Sequence, residues 1–195
     1  IASFEITDTP LIAYAAKKKR PMILSTGVAE LADIELAVET CKKAGNTDIT
    51  LLKCTSSYPA PLQEMNLATI ADMKSRFGCK IGLSDHSMSI AAPVSAVAFG
   101  AEVIEKHFIL DRNMGGADSS FSMEPKEFEM MVQAVRDAEQ LIGNVTYTLS
   151  EKSQKSREFS RSLFVAIDIA AGEEFTEQNI RSVRPGFGLH PRYLN

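Results

Sequence analysis

The sequence predicts an α/β protein built around a parallel β-sheet. Short apolar runs alternate with amphipathic helical stretches five times along residues 1–143, and this alternation is typical of a sheet with crossover helices. The apolar runs contain few polar residues, as strands buried on both faces do. Five such units fit either an open doubly wound sheet or the later portion of a larger barrel. No GxGxxG loop follows the first run, which disfavours a nucleotide-binding sheet.

Five stretches are predicted strands because they are short, apolar and bounded by turn-forming residues. The third is almost entirely aliphatic and runs into the turn-forming segment CTSSYPAP. The fourth and fifth end in polar residues that a core strand does not need. The predicted strands cover residues 1–6, 21–25, 49–54, 81–86 and 103–108.

Helices are predicted between these strands from apolar stripes and end signals. The first has Pro10 at its first position, with Asp8 or Thr9 as its cap. Asn66 is the predicted cap of the third helix, and the fourth is rich in small residues. The predicted helices cover residues 10–19, 33–44, 67–77, 90–100 and 125–142.

The chain changes character after Gly143. Residues 144–160 are dominated by Ser, Lys, Glu and Gln and are predicted to be a linker. Residues 161–195 begin with the short strand SLFVAI, but they are too few for an independent core without disulfides or a metal. They are therefore predicted to be the start of a second small domain.

Composition excludes several classes of function. A net charge of −4 gives no electrostatic case for a nucleic-acid or anionic-membrane partner. The most apolar run, residues 90–100, is too short to cross a bilayer. The three cysteines are odd in number and scattered, which indicates reduced core thiols and a cytoplasmic location.

The fourth and fifth predicted strands carry the strongest functional signal. Side chains alternate faces along a strand, so Ser84 shares a face with His86, and Glu105 shares one with His107. If the strands are parallel neighbours, these groups meet at the carboxyl edge of the sheet, where α/β folds place their chemistry. Two imidazoles with oxygen ligands suit a divalent metal such as manganese, zinc or iron.

The remaining strands also place polar groups at the same edge. Hydroxyls and amides in that position suit a phosphate or carboxylate ligand, although a single serine at a strand end is more often a turn former. Arg112 and the loop 115–118 fit either an ordinary surface loop or a binding loop. Lys53 and Lys106 have the opposite parity and are predicted to face the helices or solvent. The polar groups in question are Ser3, Glu5, Ser25, Ser56 and Tyr58.

Four motifs resemble the sialic acid synthase family. They are GLSDHS, GAEVIEKHFILDR, GGADSSFSMEP and RSVRPGFGLHP, and with ILSTG and LLKCTSSYPAP they follow the family's order along the whole chain. These enzymes join phosphoenolpyruvate to an open-chain amino sugar to make a nine-carbon 2-keto acid. The stretches LLKCTSSYPAP and RPGFGLHPRYLN are most similar to the branch that makes pseudaminic acid from 2,4-diacetamido-2,4,6-trideoxy-L-altrose.

The resemblance implies an architecture. The family fold is a (β/α)8 TIM barrel, a linker and an antifreeze-like (SAF) domain. Residues 1–143 would be a partial barrel, its last five βα units, residues 144–160 the linker, and residues 161–195 the start of the SAF domain. The family forms homodimers in which the SAF domain covers the partner's active site.

The resemblance also implies roles for individual residues. His86 and His107 would bind a divalent metal, expected to be manganese, and Glu105 would be the catalytic acid/base. Arg184 would reach the partner's substrate across the dimer. Four serines would surround phosphoenolpyruvate, namely Ser3, Ser25, Ser56 and Ser84. Five residues would contact the sugar, namely Glu5, Tyr58, Asp118, Phe159 and Arg184.

Two departures from the family pattern affect these expectations. The family carries a phosphoenolpyruvate-binding lysine directly before the IASFE stretch, and here that stretch begins the chain. The 195-residue chain alone is therefore expected to be inactive. Ser56 stands where N-acetylneuraminate synthases usually carry Asn, which favours a different sugar.

Other functions remain open at this stage. N-acetylneuraminate or legionaminate synthesis would use the same family chemistry with another sugar. A barrel aldolase that forms a Schiff base would need an inward lysine at a strand end, and none is evident. A non-catalytic carbohydrate-binding module would not depend on His86 or His107.

Overall fold

A four-stranded parallel sheet forms the centre of the first of two compact units. The computed structural model describes residues 1–194, and the first unit is Ile1–Gly143. Each strand pairs with the next in sequence, in the order β1-β2-β3-β4, as crossover helices require of parallel strands. The strands are β1 (Met22–Ser25), β2 (Ile49–Cys54), β3 (Lys80–Asp85) and β4 (Val103–Lys106).

Five helices of this unit precede, connect or follow the strands, close to the predicted positions. The Asp8 carboxylate caps the first by accepting a hydrogen bond from the backbone N–H of Leu11. The third begins later than predicted, because Asn66 adopts a left-handed backbone and its side chain donates to the Glu64 carbonyl instead of capping the helix. The helices are α1 (Thr9–Ala16), α2 (Leu31–Lys43), α3 (Thr69–Phe77), α4 (Ala91–Ala98) and α5 (Pro125–Ile142).

The predicted strand at residues 1–6 is wrong, so the sheet has four strands and not five. Ile1 lies beside β1, since its amino group donates to the Ile23 carbonyl and its carbonyl accepts from the Ser25 N–H. The ladder stops there, because the chain turns into a 3-10 helix over Ser3–Glu5. The hydroxyl of Ser3 accepts the Gly27 N–H at 3.0 Å and holds this turn against the end of β1.

The core of the unit lies between the sheet and its helices. The central strands β2 and β3 are buried along almost their whole length, as expected for strands covered on both faces. The helices contribute one apolar stripe each. The core side chains include Leu24, Leu51, Ile81 and Leu83 from the strands and Ile12, Ile34, Val38, Ile70 and Met73 from the helices.

The second unit begins at Asn144. A short helix, α6 (Glu151–Ser156), lies within the stretch that the sequence predicts as a linker. Beyond it, β5 (Ser162–Val165) pairs antiparallel with β6 (Ile180–Val183). The side chain of Ser162 joins this pair to the chain that follows, because it donates to the Pro185 carbonyl and accepts from the Gly188 N–H.

None of the helices in residues 1–194 has the length and apolar character needed to cross a membrane.

The closest backbone packing in the sheet predicts a large effect of one substitution. A Cβ added at Gly82 would strike the Val103 carbonyl oxygen and lie 2.6 Å from Cδ2 of Leu52. We expect Gly82→Ala to lower the free energy of unfolding by about 3 kcal/mol, because overpacked cores respond on that scale. Urea-induced unfolding measures the loss.

Gly78→Ala is the matched control for this substitution. Gly78 ends α3 at a φ of 60°, and an added Cβ would meet nothing within 4 Å. Its replacement costs only the left-handed backbone strain, about 1 kcal/mol. Equal losses for the two variants would contradict the packing argument.

Candidate active site

A cavity of about 360 Å³ opens where the four strands end. Parallel strands bring their carboxyl ends to one edge of the sheet, and the following loops build a site there. Most of the predicted polar residues meet in this cavity, together with one cysteine. Its polar and aromatic lining consists of Ser3, Ser25, Cys54, Tyr58, Ser84, His86, Glu105 and His107, with Phe4 at one side.

His86 and His107 face each other in the cavity. Their ring centroids are 5.2 Å apart, and the ring of Tyr58 lies 4.3 Å from His86. The Nδ1 atom of His86 is 3.0 Å from the Thr55 carbonyl oxygen. A carbonyl only accepts hydrogen bonds, so Nδ1 carries the hydrogen and Nε2 is left as the free nitrogen.

This arrangement fits a metal-binding pair. Histidines that bind metals almost always engage their second ring nitrogen with a carbonyl or carboxylate, as His86 does with Thr55. His107 Nδ1 lies 3.7 Å from Asp118 Oδ2, which is beyond hydrogen-bond distance. Within residues 1–194, no group of three or more His, Cys, Asp or Glu side chains could hold a metal ion. Two imidazoles, those of His86 and His107, are the nitrogen groups that this cavity could offer to a metal ion.

The two histidines have pKa values displaced in opposite directions. Burial lowers the pKa of His86, but the contacts with Cys54 and Thr55 outweigh it and raise the pKa overall. Burial and then the nearby charge of His86 lower the pKa of His107. His107 is consequently the ring that more readily stays neutral, as a metal ligand must.

Glu105 is held at the cavity by its neighbour on β3. Ser84 and Glu105 are register partners, and the Ser84 hydroxyl donates to Glu105 Oε1 at 2.7 Å. Ser84 is buried, whereas Glu105 lies on the exposed edge strand. The bond fixes one carboxylate oxygen and leaves the other available for proton transfer.

Cys54 belongs to the site, although the sequence indicates only a core thiol. Its Sγ accepts from the Ser3 hydroxyl at 3.5 Å and lies 3.8 Å from Ser56 Oγ and 3.9 Å from His86 Nδ1. Burial raises the pKa of Cys54, but its contacts with His86 and the two serines lower the pKa overall. Its position in the sequence could have indicated this role, since Cys54 lies two residues before Ser56 and strand alternation places both on the same face.

Gly27 makes this cluster possible. An added Cβ at Gly27 would strike Ser56 Oγ and lie 2.8 Å from Cys54 Sγ and 2.9 Å from Ser3 Oγ. Any side chain at position 27 would therefore push the serines away from the thiol. Ser56 lies behind the cavity in contact with Cys54, and it is not among the lining residues.

The other predicted sugar contacts are spread over the two units. Glu5 is exposed in the turn that follows Ser3. Asp118 is exposed and faces His107 from the loop after β4. Phe159 and Arg184 belong to the second unit, where both are exposed.

Neither lysine near the strand ends lines this cavity. Lys53 donates to the Cys54 carbonyl at 2.8 Å, and burial lowers its pKa. Lys106 is buried in an ion pair with Asp85. Among the residues that the structure describes, a Schiff-base lysine is therefore missing from the cavity lining.

Arg112 anchors the loop that carries Asp118. Its backbone N–H donates to Glu124 at 2.9 Å, and its Nε donates to the Ser122 carbonyl at 3.0 Å. The guanidinium also binds the carboxylate of Glu127. These contacts tie both ends of the loop to the start of α5.

Comparison with known proteins identifies the family. A sequence profile of the NeuB family matches residues 1–147. The chain belongs to the NeuB family. Pseudaminic acid synthase of Campylobacter jejuni, strain 81-176, is 48% identical over 193 residues, which cover 99% of this chain and 56% of that protein. N,N'-diacetyllegionaminic acid synthase of the same species is 42% identical over 97% of this chain and 58% of that protein.

Structural comparison agrees with this membership. The crystal structure of the spore coat polysaccharide biosynthesis protein SpsE from Bacillus subtilis matches with a TM-score of 0.70 and 40% identity, over 99% of this chain and 59% of that one. The four parallel strands thus form half of the barrel of NeuB-family enzymes. The chain spans little more than half the length of the relatives it matches.

The loop anchor predicts a pH-dependent contribution to stability. Hydrogen bonding from the Glu124 N–H, and then Arg112, lowers the pKa of Glu127 from its ordinary value of 4.5. A carboxyl whose pKa is lower in the folded than in the unfolded state contributes stability. That contribution is fully present above the unfolded-state pKa and is lost as the pH falls through the folded-state pKa. We expect Glu127→Gln to lower the free energy of unfolding at pH 7. The difference in this free energy between variant and wild type should shrink as the pH falls into the acidic range.

Urea-induced unfolding between about pH 7 and pH 3, the range that spans the titration of a glutamate, measures this difference. Glu129→Gln replaces an exposed glutamate of the same helix and serves as the control. A gap between wild type and Glu127→Gln that stays constant with pH would contradict the linkage.

Proposed function

We propose that the protein carrying this chain is a pseudaminic acid synthase. It would condense phosphoenolpyruvate with 2,4-diacetamido-2,4,6-trideoxy-L-altrose and release phosphate, giving a nine-carbon 2-keto sugar acid. The observation that carries the proposal is the facing pair His86 and His107 beside the Ser84–Glu105 bond. The sugar is assigned from the 48% identity to pseudaminic acid synthase.

His86 and His107 would hold a divalent cation, and we assign manganese. The Nδ1 atom of His86 contacts the Thr55 carbonyl and that of His107 faces Asp118, so Nε2 of each ring would be the ligand atom. When bound, the ion supplies Lewis-acid polarisation of the sugar aldehyde. The contact with Thr55 would fix the orientation of the His86 ring, and the lowered pKa of His107 favours its neutral form.

The serines would position phosphoenolpyruvate. Ser3 and Ser25 line the cavity on the β1 side and Ser84 lines it on the β3 side. Ser56 is linked to this group through Cys54. Hydroxyl donors suit the carboxylate and phosphate oxygens of this substrate.

Glu105 would manage the proton of the attacking water. The C2–C3 π-electron pair of phosphoenolpyruvate would form the bond to the aldehyde carbon, whose oxygen would take a proton from solvent. Water would then add at C2 and give one proton to Glu105, which returns it to solvent. The C2 hydroxyl would become the ketone as the C2–O bond to phosphate breaks, and its proton would leave with the phosphate. The hydrogen bond from the Ser84 hydroxyl would hold the Glu105 side chain at the cavity for this step.

We assign the sugar contacts from the family resemblance. Tyr58 lines the cavity and Asp118 faces His107, so both are close to the assigned aldehyde position. Glu5 would contact the sugar from the turn beyond Ser3. Phe159 and Arg184 would act on the partner subunit's substrate in a homodimer, with the second unit as the start of an antifreeze-like domain.

The cytoplasm is the location we assign to this reaction. All three cysteines of the chain are free thiols, which is typical of a reducing compartment.

The substrate assignment predicts a defined pattern of phosphate release. In the protein that carries this chain, we expect manganese-dependent release from phosphoenolpyruvate with the altrose derivative and not with N-acetylmannosamine. A continuous phosphate assay with each sugar, with and without a chelator, measures it. Release with N-acetylmannosamine alone would reassign the sugar, and no release with any amino sugar would contradict the synthase assignment.

The role of Glu105 predicts a separation of catalysis from metal binding. We expect Glu105→Gln to lower kcat by at least about 100-fold, the usual scale for loss of a general acid/base, while manganese affinity stays within about threefold of wild type, since Glu105 is not assigned as a ligand. Steady-state kinetics and manganese titration measure the two effects. Glu102→Gln, which changes a half-exposed glutamate directly before the same strand, is the control. Unchanged kcat in Glu105→Gln would remove Glu105 from the mechanism.

A further inference from the structure

A buried ion pair joins β3 and β4 directly beside the candidate metal site. Lys106 Nζ lies 2.8 Å from Asp85 Oδ2, and the two side chains are 1% and 0% exposed. Asp85 and Lys106 are register partners. They alternate with the cavity residues along each strand, so their side chains lie on the opposite face of the sheet.

Lys106 contacts the residues that precede and follow His86 in sequence. Its ammonium group binds the carboxylate of Asp85, the residue before His86, and the carbonyl of Ser87, the residue after it. Asp85 Oδ1 in turn accepts the Ser87 N–H at 2.8 Å. The backbone on both sides of His86 is therefore fixed to a single point on β4.

Lys106 is itself flanked by the site residues at the end of β4. Lys106 stands between Glu105 and His107 in sequence. One ammonium group consequently couples the backbone positions of both histidines and of Glu105. A buried charge pair is expensive to form and contributes little net stability, so its location beside three site residues calls for a role in the site.

We propose that Lys106 is a positioning residue that, with Asp85, sets the separation of His86 and His107 for one shared divalent cation. It acts from behind the sheet and touches neither substrate nor metal. The inference rests on the proposed metal-binding function of the two histidines and deepens it. Loss of the pair should weaken metal binding even in a protein that remains folded.

The double variant Asp85→Asn/Lys106→Met tests this role. The asparagine keeps an oxygen for the Ser87 N–H, and the methionine fills the space of the lysine without a charge, so no unpaired charge is buried. We expect manganese affinity to fall by roughly 10- to 100-fold, the scale found when outer partners of metal ligands are removed. Isothermal titration with manganese alone measures this, and circular dichroism and thermal unfolding establish that the variant is folded.

The control is a second lysine–carboxylate pair of the same unit. Lys74 Nζ lies 3.1 Å from Glu102 Oε1 and 3.5 Å from the Gly100 carbonyl. This pair is about half exposed and lies at the opposite end of β4 from the site. Lys74→Met/Glu102→Gln should leave manganese affinity unchanged.

The outcomes separate the two proposals. If the wild-type protein binds no manganese, the proposed metal site fails. If wild type binds manganese and the folded double variant binds it equally well, the positioning role of Lys106 is overturned. Should the double variant not fold, Asp85→Asn alone is measured in the same way, and an affinity equal to wild type overturns the inference.

Discussion

The candidate active site depends on the register between β3 and β4. Ser84 pairs with Glu105 and Asp85 pairs with Lys106, and each pair is also joined through its side chains. Because side chains alternate along a strand, a slip of one residue would exchange the two faces of a strand. The Ser84–Glu105 bond on the cavity face and the ion pair on the opposite face both oppose that slip.

Small residues allow the strands and loops to approach closely enough for this arrangement. At Gly82 the carbonyl of Val103 occupies the space that a side chain would need. At Gly27 the same space holds the Ser3, Cys54 and Ser56 side chains. Tight packing at Gly82 therefore holds β3 against β4 two residues before the Ser84–Glu105 pair, and tight packing at Gly27 holds the cluster around Cys54.

The sequence predicts the strands and their inward faces well, because both follow from apolar runs and period-two alternation. It fails where tertiary contacts decide. Residues 1–6 are apolar enough for a strand. The chain turns at Ser3 instead, where the Ser3 hydroxyl accepts a hydrogen bond from the Gly27 N–H. The sequence does not predict Cys54 as a site residue, because cysteine behaves as a small apolar residue in most cores. The ion pair of Lys106 and Asp85 is not predicted either. Strand alternation places Lys106 away from the cavity, but it does not identify the residue that pairs with it.

The charges of the site explain why histidines suit it. In the function proposed above, phosphoenolpyruvate would bring a carboxylate and a phosphate, and carboxylate ligands would neutralise much of the cation's charge before that substrate arrived. Neutral imidazoles would leave that charge available, and the lowered pKa of His107 favours the neutral form of its ring. Glu105 lines the same cavity, where the Ser84 hydroxyl donates a hydrogen bond to one of its oxygens. In that proposal one oxygen of Glu105 would be free to take up a proton, while the charge of the cation would act on the substrates.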